Sequence, residues 1–314
     1  MSTVADGGGP GAVRADTGAA VGEPPAGLAH ANTGAAAGYR PERTLSFATE
    51  WRRQFTRQRT RYGLGFLAVL PLLLLAAFQF GSPNSDQQGQ GGASLVDVAT
   101  SGGPNFAAFT LFASATFLIV VVVALFCGDT VAGEASWGSL RYLLALPVPR
   151  SRLLRQKLLV GAATSVLGVV ILMTVALVGG SLVYGWHPLA TPVGTEVAPW
   201  SAVGLLALAT GYLLVHLMLV GSLAFLLSVR TDQPLLAVGG AVLLYIVSNI
   251  LDLVPALENV RFVLPTAYNL AWTGVFSSPV QYEDMAKGAI AALLYTTVFL
   301  LLAWRAFARK DVVS

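Results

Sequence analysis

Two carboxylates, Asp129 and Glu134, stand in the stretch CGDTVAGEASWGSLRYLLALPVPRSRLLRQKLLVG, residues 127–161, beside Arg141, Arg150, Arg152, Arg155 and Lys157. That density is high for a chain in which charged residues make up 11%. An acid–base pair is the first chemistry to consider, but a spacing of five sets the two carboxylates about 140° apart on a helix. No H-E-x-x-H pattern, no G-x-S-x-G elbow and no pair of aspartates inside an apolar run occurs. The single cysteine, Cys127, excludes a disulfide framework or a cysteine metal cluster, and three scattered histidines offer no histidine-rich site. The expectation is a chain with no catalytic residues, no metal site, no cofactor of its own and no nucleic-acid partner.

The same stretch reads better as a surface for another protein. On a helix at ~100° per residue, Glu134, Gly138 and Arg141 fall on one stripe, and Trp137, Leu140 and Leu144 on the adjacent one. Pro147 and Pro149 end that helix. A positively charged membrane flank accounts for Arg150, Arg152, Arg155 and Lys157. It does not account for Asp129 and Glu134, nor for Gly133 and Gly138 beside them. Small residues next to a charge suit close approach by a partner.

The elements that must carry this stretch are membrane spans. Hydrophobic residues make up 55% of the 314-residue chain, and several apolar runs approach ~20 residues, the length that crosses a ~30 Å hydrocarbon core. Six spans are expected, at about 62–80, 106–126, 158–184, 203–229, 234–254 and 286–304. Residues 1–43 are rich in Ala, Gly and Pro and cannot bury a core, so they are expected to form a disordered tail without a signal-peptide pattern. The membrane domain then covers 44–314. At its start, Phe47, Trp51 and Phe55 recur at i, i+4, i+8 among arginines, as in a helix lying on an anionic membrane surface. This helix is expected to continue into the first span without a break. With both termini placed on the cytoplasmic side of the cell membrane, 17 of the 19 basic residues fall on that side, and only Arg261 and Lys287 fall outside.

The run GDTVAGEASWGSLRYLLALPVPRSRLLRQKLL resembles the signature of ABC transporter permeases of the type-two, exporter-like family. The residues that carry the resemblance are Gly133, Glu134, Gly138, Ser139, Leu140, Arg141, Leu143, Leu144, Pro147, Arg150 and Lys157. The six-span count and the basic helix ahead of the first span extend it over about 45–310. The resemblance implies an all-α membrane subunit whose helix at 134–144 is a coupling helix docking on a separate ATPase. Gly133, Glu134, Gly138, Arg141, Leu144 and Arg150 would form that docking site, and Phe47, Trp51 and Phe55 would mark an elbow helix. The usual assembly implied is two ATPases and two permeases, the second identical or homologous. ATP and Mg would be bound by the ATPase, which agrees with the lack of a G-x-x-x-x-G-K-[ST] loop here. Loss of Glu134 is then expected to uncouple hydrolysis from transport without unfolding the spans.

A substrate path is expected from polar residues inside spans. Tyr245, Ser248, Asn249 and Asp252 form one stripe of the fifth span, read either as the wall of an export path or as helix-to-helix hydrogen bonding. In the family that this chain resembles, spans two and five line the central cavity. Tyr212 and His216 are neighbours on the fourth span, His216 being either a packing residue or part of a proton relay. Gly161, Ser165, Gly204, Gly211, Gly221, Gly239 and Gly240 are expected to let helices approach closely. The outer segment 255–284 is expected to form a re-entrant or interfacial hairpin, with Trp272 and Phe276 at the membrane interface. The rival to an ATP-driven exporter is an ATP-independent channel or secondary transporter.

Overall fold

The computed structural model describes residues 46–80, 95–139, 149–190, 196–277 and 279–310, all within one compact unit, Pro41–Ser314. The expected tail at 1–43 lies outside the described residues, as do Leu140, Arg141, Leu143, Leu144 and Pro147. The architecture is all-α apart from a ribbon of two antiparallel two-residue strands, β1 (Leu189–Ala190) and β2 (Glu196–Val197).

Among the described residues, six helices are long and apolar enough to cross a membrane: α2 (Gln58–Phe80), α5 (Leu118–Ser136), α6 (Arg150–Tyr184), α7 (Pro199–Arg230), α8 (Pro234–Asp252) and α9 (Glu283–Ala308). Helices of this length succeed in hydrocarbon because each satisfies its own backbone hydrogen bonds. α6 has 35 residues and so runs about 50 Å at ~1.5 Å per residue, well beyond a ~30 Å core. Its first turns carry Arg150, Arg152, Arg155 and Lys157. α5 and α7 form the centre of the bundle, most of their apolar windows being buried, whereas α2, α8 and α9 keep most of theirs exposed. α7 packs on α9, α5 and α8, and α6 packs on α2 and on α4 (Gly103–Ala115), which follows the short α3 (Leu95–Thr100).

Two expected elements are broken. The basic helix ends as α1 (Phe47–Thr56), and Arg57 turns to φ −72°, ψ 127° before α2 begins. The span expected at 106–126 is divided between α4 and the first half of α5, with the discontinuity at Thr116–Phe117, and α5 runs on to Ser136, so that Asp129 and Glu134 stand on this helix. Ahead of the discontinuity the Thr110 and Ser114 hydroxyls donate to the Phe106 and Thr110 carbonyls at 2.9 and 2.6 Å. Such back-bonding competes with the helical ladder and bends helices. Neither break carries a Gly or Pro, so periodicity alone runs straight through them.

Close helix contacts use glycines, only partly those expected. A Cβ at Gly161 would meet the Phe126 carbonyl oxygen at 3.2 Å, one at Gly221 would meet Cys127 Sγ at 3.1 Å, and one at Gly240 would meet Leu227 Cδ1 at 3.1 Å. Gly204, Gly211 and Gly239 face open space, with nothing within 4 Å. The expectation of close approach at those three is therefore corrected, because they lie on helix faces turned away from neighbours.

α5 and α7 are also joined by a polar contact. Ser228 Oγ, fully buried on α7, accepts from the backbone N–H of Val131 at 3.2 Å and of Ala132 at 2.8 Å on α5. Replacing Ser228 by alanine removes the shared acceptor from two buried donors. The expected cost is about 1–3 kcal/mol, measured as a fall in the unfolding free energy of the purified chain in mixed micelles. Full retention of stability would mean that these amides need no acceptor from α7.

Candidate functional site

The charged end of the bundle holds the site. α1 starts with Ser46 at its N-cap, whose hydroxyl accepts from the Thr49 N–H at 3.3 Å. Its aromatic stripe is continuous: Phe47 and Trp51 lie 5.5 Å apart between ring centroids, and Trp51 and Phe55 lie 4.9 Å apart. The other side of α1 turns Glu50 and Gln54 into the protein. The break after α1 directs Arg57 toward the end of α5. Its Nη1 donates to the Asp129 carbonyl at 3.0 Å and to Asp129 Oδ2 at 3.1 Å, and its Nη2 donates to Glu134 Oε1 at 3.1 Å. Arg59 Nη1 donates to Asp129 Oδ1 at 2.7 Å.

Lys157, on the first turns of α6, closes the network from the other side. Its Nζ lies 2.5 Å from Glu134 Oε2 and 3.6 Å from Glu50 Oε2. The shorter contact is an ion pair by proximity rather than a well-aligned hydrogen bond. Glu50 also accepts from Arg53 Nη1 at 3.1 Å. Four cations thus meet three carboxylates drawn from α1, the α1–α2 junction, α5 and α6. Glu134 is 6% exposed and Lys157 3%, so their charges depend on each other rather than on water. A cleft of about 860 Å³ opens beside them, lined by Arg53, Arg57, Arg59, Asp129, Glu134 and Trp137.

The expected stripe through Glu134, Gly138 and Arg141 is not continuous. α5 stops at Ser136, and Gly138 takes φ 67°, the left-handed region that glycine enters without strain. The Gly138 N–H donates to the Ala135 carbonyl at 2.9 Å and the Ser139 N–H to the Glu134 carbonyl at 3.0 Å, which closes the helix end. Glu134 therefore faces inward, while Trp137 just beyond it is 84% exposed. Gly133 leaves room for the network: a Cβ there would lie 2.8 Å from Asp129 Oδ1 and 3.1 Å from Arg57 Nη1. Arg150 stands at the start of α6 and donates to the Lys310 carbonyl at 3.2 Å, tying α6 to the end of α9. Lys310 in turn reaches Asp232 Oδ1 at 2.8 Å, in the α7–α8 connection.

The stripe on α8 is engaged by the segment that follows it. Ser248 Oγ lies 2.7 Å from Thr266 Oγ1, Asn249 Nδ2 donates to the Tyr245 carbonyl at 2.9 Å, and Asn269 Nδ2 donates to Asn249 Oδ1. Asp252 ends the helix, half-buried. The partners thus come from the 255–284 segment rather than from a neighbouring span. That segment contains two 3₁₀ helices, Pro255–Val263 and Ala271–Phe276. The second packs on α7 and α9, which buries Trp272 (2% exposed) and Phe276 (9%). The two aromatics expected at the membrane interface thus pack against protein: Trp272 meets Phe112 at 6.1 Å and Phe276 edge-on at 6.2 Å. His216 is buried on α7 and stacks on Tyr212 at 6.1 Å. Neither of its ring nitrogens has a hydrogen-bond partner among the described residues. Tyr212 donates to the Tyr268 carbonyl at 2.7 Å.

Arg57, Arg59 and Glu50 are site residues that pattern reading left unassigned, while Asp129 and Lys157 were singled out without a partner for either. Glu50 and Asp129 carried a signal, each being an acid set against a basic surrounding. Lys157 carried no signal of its buried pairing, because a lysine at a span boundary looks like a membrane flank.

A family model described as a protein of unknown function (DUF2705) matches residues 72–313. No curated protein matches the chain.

Proposed function

The chain belongs to this DUF2705 family, whose description assigns no activity, and from the charged end of the bundle we propose that it is the membrane subunit of an ATP-driven ABC transporter. In this reading it is an exporter of the cell membrane, with both termini in the cytoplasm and hydrolysis supplied by a separate ATPase that binds ATP and Mg. A second permease, identical or homologous, completes the pore. The observation that carries the reading is the buried network joining Glu50, Arg57, Asp129, Glu134 and Lys157. It clamps the elbow helix, the end of the second span and the start of the third into one unit. The connection 137–149 leaves directly from that unit. A push on this connection reaches three helices together, as a power stroke from a docked ATPase requires. The arginine-rich α1, its aromatic stripe and the exposed Trp137 fit the same surface.

Glu134 in this reading is not itself a contact with the ATPase. It holds the lever in place, and the docking face lies beyond it, from Trp137 onward. The test is purification of the full chain from its native membrane with cross-linking from a cysteine placed at Trp137. Capture of a phosphate-loop ATPase in near-equal amount, dependent on that position, is the expected result. Absence of an ATPase, even after cross-linking, would overturn the reading in favour of an ATP-independent channel or secondary transporter.

A further inference from the structure

An apolar cavity of about 250 Å³ lies between α5, α6, α7 and α9, in the half of the bundle that carries the charge network. Its floor is built from small side chains, Cys127 on α5, Ala162 and Ser165 on α6, Gly221 and Ser222 on α7. Its mouth is formed by Leu159, Val166 and Met218, which are 42%, 44% and 47% exposed on the apolar outer surface. The cavity therefore opens sideways, where hydrocarbon surrounds a spanning helix. Voids in a packed interior forfeit contacts, and an apolar cavity of ~150 Å³ already takes a benzene-sized guest.

The few polar atoms narrow the guest. Ser165 Oγ donates to the Gly161 carbonyl at 2.9 Å and Ser222 Oγ to the Leu219 carbonyl at 2.8 Å. With their protons spent, both hydroxyls retain lone pairs only. Thr296, on α9, also lines the cavity. Thr110, Thr164, Thr210 and Thr297 all return their hydroxyl protons to a carbonyl four residues back. Thr296 does not, and its buried hydroxyl has no partner among the described residues. Thr296 thus brings an unpartnered hydroxyl to the lining of the cavity.

We propose that this cavity binds an apolar molecule carrying a single hydrogen-bond donor, taken from the bilayer rather than from water. The donor meets the Thr296 hydroxyl, and the apolar body fills the space between Leu158, Leu214 and Leu300. The site depends on the membrane-spanning fold alone and stands whether or not an ATPase docks.

The experiment is photolabelling of the full chain in membrane vesicles with a diazirine-bearing octanol, followed by peptide mass spectrometry. Saturable adducts are expected in 158–166, 214–222 and 296–300, removed by excess octan-1-ol. Octane at equal membrane concentration should compete about tenfold less well, consistent with one lost hydrogen bond. Thr296→Val should weaken saturable labelling about fivefold. Val166→Trp, at the exposed mouth and so harmless to the core, should abolish it while adducts on Leu243 and Ile250 of α8 persist. Labelling that never saturates, or that spreads evenly over lipid-facing residues, overturns the site. Equal competition by octane, or no effect of Thr296→Val, overturns the donor requirement and leaves an acyl chain as the occupant.

Discussion

Glu134→Ala is expected to lower the unfolding free energy by about 3–5 kcal/mol, the cost of stranding a buried charge. Lys157, 3% exposed, would keep only Glu50 at 3.6 Å. Arg57, whose side chain is 23% exposed, would keep both of its contacts to Asp129, so the loss falls mainly on the lysine. The companion variant carries Glu134→Leu and Lys157→Met together. Replacing both partners by apolar groups of similar volume removes the stranded charge, and buried pairs so replaced are often neutral or stabilising. Most of the lost stability should return, while Glu50 retains Arg53 and Arg57 retains Asp129. Equilibrium unfolding of the purified chain in mixed micelles measures both variants. A Glu134→Ala chain within about 0.5 kcal/mol of the parent would place this carboxylate in water, free to face a partner. The expectation that loss of Glu134 leaves the spans intact therefore changes. Uncoupling seen in Glu134→Ala alone would report a weakened lever; uncoupling in the well-folded double variant would report a lost signal.

Gly103→Ala should be the most costly single methyl group in the bundle. Gly103 is buried at the start of α4 and donates to the Gly185 carbonyl at 2.9 Å. A Cβ placed there lies 2.8 Å from both Cα and N of Ser181 on α6. Those are backbone atoms and cannot rotate away, so α4 and α6 must separate. The expected loss is about 2–3 kcal/mol, the upper part of the range for overpacking, and larger for Gly103→Leu. Separation would also loosen Asn105, whose side chain donates to the Pro188 carbonyl and accepts from the Ala190 N–H, both at 2.9 Å. Gly204→Ala and Gly211→Ala are the controls. With nothing within 4 Å of the new methyl, each should be neutral or gain up to ~1 kcal/mol of helix propensity. Comparable losses at all three glycines would mean that backbone freedom, not contact, sets the cost.

The six apolar helices were legible because the signal is local. A run of about 20 apolar residues has few alternatives to a spanning helix once each backbone group must be satisfied without water. The aromatic stripe of α1 was legible for the same reason, since Phe47, Trp51 and Phe55 follow the helical period and their rings do meet. Small side chains were readable only as permission for close contact. Whether Gly103 or Gly204 uses that permission depends on which face meets a neighbour.

By itself the sequence determined an all-α chain with six helices suited to a membrane, and a stretch after the second of them where charge is dense. Only the tertiary structure decided what those charges do. Arg57 and Asp129 are 72 positions apart and Arg57 and Glu134 are 77 apart, and no local period encodes such a pairing. It arises because the break at Arg57, the end of α5 at Ser136 and the overlong start of α6 converge at one end of the bundle. There the cost of burying each charge is offset only by the others.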